Sequence, residues 1–293
     1  MIDGIPLVDA HLHPAHLSTL KLPVQEWAAG FNSMDGIYDA AGAVIPPAFD
    51  AYLEAEGVDV AIMFCEYSPL STGIQPIEDL LPIAACNPAR LRFLANVNPH
   101  LHDPLLPEVE RQLALGAVAL KLHPVHARFS PNDAVLWPVY AWLQEAGMPV
   151  VFHCGTSVFP GAVNRYADPA LVDEVAGAFP DLKIVLAHGG RGWWYDAAAF
   201  ITQIRRNVWI ELGGLPPKKL PQYYRNFDLG RLGRKFIFAT DWPGVPGIAR
   251  NAAAVADLGF DRDTLERIFW RNAFAVYALG DPPAAWEESA GEG

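Results

Sequence analysis

Eight short apolar runs, each followed by a stretch long enough for a helix, constrain this chain more than any other feature of its sequence. They are Pro6 to His13, Val58 to Cys65, Leu91 to Val97, Ala117 to His123, Met148 to His153, Leu182 to His188, Val208 to Leu212 and Phe236 to Thr240. Continuous runs rich in Val, Ile and Leu read as strands buried on both faces, the condition of parallel strands covered by helices. Helical patterns fill the gaps, among them Pro107 to Leu115, Leu136 to Ala146 and Pro169 to Phe179, and several close on Gly just before the next strand, as at Ala146-Gly147-Met148. Eight strand-and-helix units predict an α/β fold, a closed (β/α)8 TIM barrel rather than an open doubly wound sheet.

The 293 residues suit one such barrel over 1–280, and the Pro-, Ala- and Glu-rich stretch 281–293 reads as a flexible tail. The connection from His13 to Val58 is longer than one crossover helix, so a long loop insertion follows the first strand, suited to walling the catalytic face or to a subunit contact. A hydrophobic share of 52% against 18% charged residues supplies a large core. The net charge of −12 without a basic cluster argues against nucleic acid and anionic membrane, while a small anionic substrate stays compatible because local cations outweigh a distant field. No stretch of about 18 apolar residues and no basic-then-apolar leader is present, so a cytoplasmic protein is expected. Cys65, Cys86 and Cys154 lack CxxC spacing and read as reduced thiols.

Barrels of this kind place their chemistry at the C-terminal ends of the strands, and here those ends are polar. Strand side chains alternate, so His11 and His13 project to one side and can chelate. The fifth run ends on His153, the sixth on His188, and the eighth leads into Asp241. Gathered at one rim, such nitrogen and oxygen donors suit a divalent ion, Zn2+ foremost and Mn2+ as well. Lys121 and His123 share one side of the fourth run, and a Lys in apolar sequence needs a partner: an anionic substrate, a carboxylate, or conversion to a metal-bridging carbamate. His123 otherwise hydrogen-bonds a neighbouring loop. Arg191, within Gly189-Gly190-Arg191-Gly192, either recognises a substrate carboxylate or is a solvated surface cation. His16, His100, His102 and His126 end no strand pattern and read as packing residues. Glu66, Trp193, Trp194 and Trp242 lie near strand ends, where they shape an aromatic pocket or pack the rim.

Taken in order, Val8-Asp9-Ala10-His11-Leu12-His13, Leu120-Lys121-Leu122-His123-Pro124, Phe152-His153-Cys154-Gly155, Ala187-His188-Gly189-Gly190 and Ala239-Thr240-Asp241-Trp242-Pro243 resemble the amidohydrolase superfamily. Within it they are similar to the amidohydrolase-related (amidohydrolase 2) branch of metal-dependent hydrolases and decarboxylases. The resemblance implies that His11, His13, His153 and Asp241 hold a divalent metal, one ion rather than two. His188 would orient water or polarise substrate, or bind a second ion, and Lys121 matches the lysine that two-metal members carboxylate. On this reading the ion lowers the pKa of bound water toward about 7, and Asp241 takes a proton and returns it to the leaving group. His188, Lys121, His123 or Arg191 would stabilise developing negative charge. The expected activity is hydrolysis of a small-molecule amide, ester or lactone; the alternative is a lyase, non-oxidative decarboxylation of an aromatic or unsaturated acid at the same metal, and a barrel that only binds a metabolite or protein is a third. The expected partner is a small molecule, anionic ones included, and a homo-oligomer is compatible with the composition.

Overall fold

Each apolar run becomes a parallel strand in a computed structural model that describes residues 1–2, 4–31 and 34–288, Glu288 by its backbone alone. The strands are β1 (Val8–Leu12), β2 (Val60–Met63), β3 in two segments (Leu91–Phe93 and Ala95–Asn96), β4 (Leu120–Leu122), β5 (Val150–Gly155), β6 (Ile184–Arg191), β7 (Val208–Glu211) and β8 (Phe236–Ile237). β1 pairs with β2 and β2 with the first segment of β3, whose second segment pairs with β4; β4 to β8 then follow in sequence order. Backbone hydrogen bonds join the two ends: Ala10 N donates to Phe238 O at 3.1 Å, Asp241 N to His11 O at 3.0 Å and His13 N to Trp242 O at 2.9 Å. The sheet is therefore a TIM barrel. Closure removes the exposed edges an open sheet would carry.

Val150, Val151, Phe152, Val185, Leu186 and Ile210 are fully buried, so the core lies both inside the barrel and between strands and helices. The pairing registers of β1 with β2 and of β5 with β6 shift at Asp9/Leu12 and at His153/Gly155. Such irregularities re-aim side chains at barrel rims, and both occur beside histidines of the site. Asp9 fastens β1 to the end of β8, accepting from Thr240 Oγ1 at 2.6 Å and Thr240 N at 3.0 Å. Its burial raises its pKa to about 7, against the pull of these hydrogen bonds.

The long connection after β1 contains a 3-10 turn (Leu17–Thr19) and two helices, Leu22–Ala28 and Pro46–Ala55. Pro at the start of each helix matches the position whose backbone N–H has no intrahelical partner. The second helix buries Phe49 and Leu53, with the Phe49 ring 5.2 Å from Trp242. The first half of the connection walls a cavity described below. After β2, an antiparallel hairpin pairs Glu66–Ser68 with Gly73–Gln75. Beyond the barrel, Ala284–Glu288 is helical with Trp286 against Trp270 and Phe274, and 289–293 of the expected tail lie outside the described residues. Among the described residues, no helix is long and apolar enough to cross a membrane. Cys65 and Cys154 are buried free thiols, and Cys86 is an exposed one.

Candidate metal centre

The alternation of β1 brings two imidazoles together as its sequence requires: His11 Nε2 lies 2.9 Å from His13 Nε2. Asp241, just past β8, sets Oδ1 3.5 Å from His11 Nε2 and 3.3 Å from His13 Nε2. The other carboxylate oxygen, Oδ2, faces Arg191 at 3.5 Å and His188 Nδ1 at 3.9 Å. His11 is stacked on Phe64 at 3.9 Å, and its Nδ1 is 2.7 Å from Oε1 of the buried Glu211 at the end of β7. A carboxylate behind an imidazole fixes the ring and directs its other nitrogen at a metal.

Two further histidines of the rim meet through their unprotonated nitrogens. His188 Nδ1 lies 2.8 Å from Gly213 O and His153 Nε2 lies 3.0 Å from Gly155 O. A carbonyl only accepts, so each of those nitrogens carries the hydrogen of a neutral ring. The opposite nitrogens, His188 Nε2 and His153 Nδ1, are then both lone pairs, yet they face each other at 3.2 Å. Burial lowers the pKa of His11, His153 and His188 well below the usual imidazole value, which keeps them ligand-competent rather than charged. His11 Nε2, His13 Nε2 and Asp241 Oδ1 are the donor group that fits a divalent ion, and such mixed nitrogen and oxygen donors suit zinc or manganese.

Both residues that end this rim in irregular backbone are left-handed without being glycine: His188 at φ 71° and Asp241 at φ 67°. Such conformations cost about 1–3 kcal/mol and cluster at functional sites. Burial pushes the Asp241 carboxyl up, but His188, His11 and His13 together hold it well below the carboxylate range. Beneath them Lys121 is fully buried, its Nζ without a hydrogen-bond partner among the described residues and 4.6 Å above the Phe64 ring. Burial lowers its pKa to about 8 and raises that of Glu211 to about 8, while each pulls the other back toward its charged form.

The histidine and aspartate cluster opens into a cavity of about 330 Å³, lined on one side by Leu17, Leu20, Val24 and Trp27 of the insertion and on the other by Thr156, Ser157 and Phe159 after β5. Among the described residues, Arg191 is the one Lys or Arg on its wall, and it also donates to Thr156 O at 3.1 Å. Glu66, Thr72, Gln75, His123 and His126 also line the cavity. His126 Nδ1 is 2.7 Å from Glu66 Oε1, and Thr72 Oγ1 donates to that oxygen at 2.7 Å. Burial works against ionisation of Glu66, but His123 and His126 hold its pKa well below the ordinary range.

Of the residues expected from the sequence, His11, His13 and Asp241 converge as one group of potential ligand atoms within 4.8 Å of one another. His153 does not join that group; it contacts His188, and its ring lies 4.8 Å from that of His126. Arg191 and His123 reach the cavity, whereas Lys121 stays beneath it and Trp193 is 69% exposed. Glu211 lies inside the seventh apolar run, where the sequence pattern assigns it no separate role. His126, read as a packing residue, is buried with both ring nitrogens hydrogen-bonded, to Glu66 and Ser157, and it also lines the cavity; it lies in the short helix Pro124–Ala127, three residues after His123.

A TIM barrel carrying a His/Asp donor cluster at the C-terminal ends of its strands defines a class of enzyme-like scaffolds. The chain belongs to the amidohydrolase family, whose sequence profile it matches over residues 8–279. Comparison with curated proteins gives no match. Among solved structures, it is similar to an uncharacterised TIM-barrel protein from Bordetella bronchiseptica, 19% identical with a TM-score of 0.76 over 98% of this chain and 100% of that one. It also resembles 5-carboxyvanillate decarboxylase from Novosphingobium aromaticivorans, solved with manganese and 4-hydroxy-3-methoxy-5-nitrobenzoic acid, at 15% identity and a TM-score of 0.66 over 94% and 96% of the two chains. A probable 2-pyrone-4,6-dicarboxylic acid hydrolase from Acinetobacter baumannii, with citric acid bound, is 16% identical with a TM-score of 0.65 over 94% and 100%. At such identities the likeness concerns the fold.

Proposed function

We propose that this protein is a metal-dependent hydrolase of a small ester, lactone or amide, with His11, His13 and Asp241 holding one divalent ion, zinc or manganese, and His153 and His188 beside it. The observation that carries the reading is the division of labour at Asp241, whose Oδ1 faces His11 and His13 while Oδ2 faces His188 and Arg191. When bound, the ion would polarise a carbonyl and acidify water. Asp241 Oδ2 accepts the proton of an attacking water and later delivers it to the leaving group. Arg191 supports the negative charge that develops on the substrate, a contribution of several kcal/mol in a dry site. Leu17, Val24, Trp27 and Phe159 hold the apolar body of the substrate and exclude bulk water.

Arg191 also supports a second reading, because a single cation beside Asp241 could seat a carboxylate that is then lost as carbon dioxide. Incubating metal-loaded protein with panels of lactones, esters and hydroxybenzoates separates the two: hydrolysis yields acid from the first panels, and carbon dioxide release from the last without hydrolysis would replace the hydrolase reading. Metal binding is checked independently. At a free ion concentration of about 100 times Kd, the native state should gain roughly 2.7 kcal/mol, visible as a higher Tm for zinc or manganese over chelated protein. No bound metal after loading and no shift in Tm would remove the metal from the proposal.

A further inference from the structure

Glu66, His126 and Ser157 form a hydrogen-bonded chain in the cavity wall that the metal reading leaves unused. His126 Nδ1 lies 2.7 Å from Glu66 Oε1, and His126 Nε2 lies 2.9 Å from Ser157 Oγ. An ionised carboxylate only accepts, so Nδ1 donates to Glu66 and Nε2 keeps the lone pair that takes the Ser157 hydroxyl proton. The chain is held from both ends. Thr72 Oγ1 donates to Glu66 at 2.7 Å, while Ser157 N donates to Asn164 Oδ1 at 2.8 Å and Asn164 Nδ2 donates back to Ser157 O at 3.2 Å. Phe159 N donates to Ser157 Oγ at 3.3 Å.

A nucleophile in hydrogen-bond reach of a base, with the base oriented by a third group, is the geometry of covalent catalysis. Both nitrogens of His126 are engaged, so it serves as a base rather than a metal ligand, even though ring nitrogens of His123, His126 and His153 lie within 4.8 Å of one another. A second observation points to a ligand here. His123 is 2% exposed, lines the same cavity and stacks on His126 at 5.6 Å, and its Nδ1 is 3.7 Å from Glu66 Oε1, yet among the described residues neither of its ring nitrogens has a hydrogen-bond partner. His123 therefore carries an N–H that makes no hydrogen bond among the described residues, and leaving such a group unpaired costs about 1–3 kcal/mol. A substrate oxygen on the cavity side would satisfy it.

We propose that Ser157 is a nucleophile activated by His126 and oriented by Glu66, giving this cavity a metal-independent acyl-transfer centre for small activated acyl esters. Ser157 Oγ forms a bond to the acyl carbon, its proton passes to His126 Nε2 and on to the departing alkoxide, and the C–O bond to that leaving group breaks. Water then releases the acid by the reverse proton path. His123 donates to the oxygen on which charge develops.

The test uses the full chain, with and without a chelator, and phenylmethanesulfonyl fluoride as probe: Oγ–S forms, S–F breaks and the proton leaves with fluoride. Intact mass and peptide mapping should find one label, on Ser157, at equal rates in chelated and zinc-loaded protein. Ser157→Ala should abolish it, and His126→Gln should slow it about 100-fold, as loss of a general base does. Glu66→Gln, which keeps the side-chain shape, should slow it about tenfold; it stands in if circular dichroism shows that H126Q has unfolded. An unlabelled Ser157 in protein with a native melt, or rates unchanged in both folded variants, would overturn the proposal. Because the label needs no metal, its failure and that of the metal-dependent reading are separate results.

Discussion

Asp241→Asn is expected to leave the barrel folded and its metal content nearly unchanged while lowering kcat about 10³-fold. Three features make the substitution clean. Asparagine tolerates the left-handed backbone at φ 67°. The backbone tie from Asp241 N to His11 O at 3.0 Å does not involve the side chain. An amide oxygen can replace Oδ1 beside His11 and His13, but no amide can take and return the proton assigned to Oδ2, and a positioned acid or base contributes about 10²–10⁴. The comparison is kcat on the best substrate from the panels, set beside metal content by elemental analysis. Turnover within tenfold of the parent would strip Asp241 of its role as base.

Gly190→Ala is expected to cost about 3–5 kcal/mol and to lower Tm by roughly 6–20 °C, well above the effect of Gly147→Ala. Both glycines are left-handed, at φ 80° and φ 68°, but a Cβ at Gly190 would sit 2.4 Å from Trp194 O whereas one at Gly147 meets nothing within 4 Å. The Trp194 carbonyl has no freedom to yield. It accepts from Ala198 N at 2.9 Å, and Trp194 N itself donates to Gly190 O at 2.9 Å. Gly147→Ala therefore reports the backbone cost alone, about 1 kcal/mol, and the difference reports the collision. Gly190 follows His188 by two residues, so kcat should fall in any Gly190→Ala protein that folds. Equal melting points for the two variants would contradict the packing described for this turn.

The eight strands were legible because parallel strands buried on both faces appear as continuous apolar runs, unlike anything a surface helix needs. The break of β3 at Leu94 and the brevity of β8, which spans only Phe236–Ile237, were not legible, since hydrogen-bond geometry rather than side-chain polarity ends a strand. The insertion announced itself by length, but its two helices and its role as a cavity wall depend on what it packs against. His11 and His13 could be paired on paper because strand periodicity alone places them on one side. Glu66, His126 and Ser157 could not, since they come from a hairpin, a one-turn helix and a loop.

By itself, then, the sequence determined the barrel, the same-side histidine pair on its first strand and the donor types waiting at the other strand ends, because periodicity and burial are local properties that each segment carries alone. Only the tertiary structure decided how those donors divide. It set Asp241 against His11 and His13, turned His153 toward His188, put Glu211 behind His11 across 200 positions of chain, and left Lys121 beneath the cavity rather than in it. The physical reason is closure: the barrel's stagger, the left-handed turns at His188 and Asp241 and the carbonyls of Gly155 and Gly213 orient each ring, and none of these is written in any single segment.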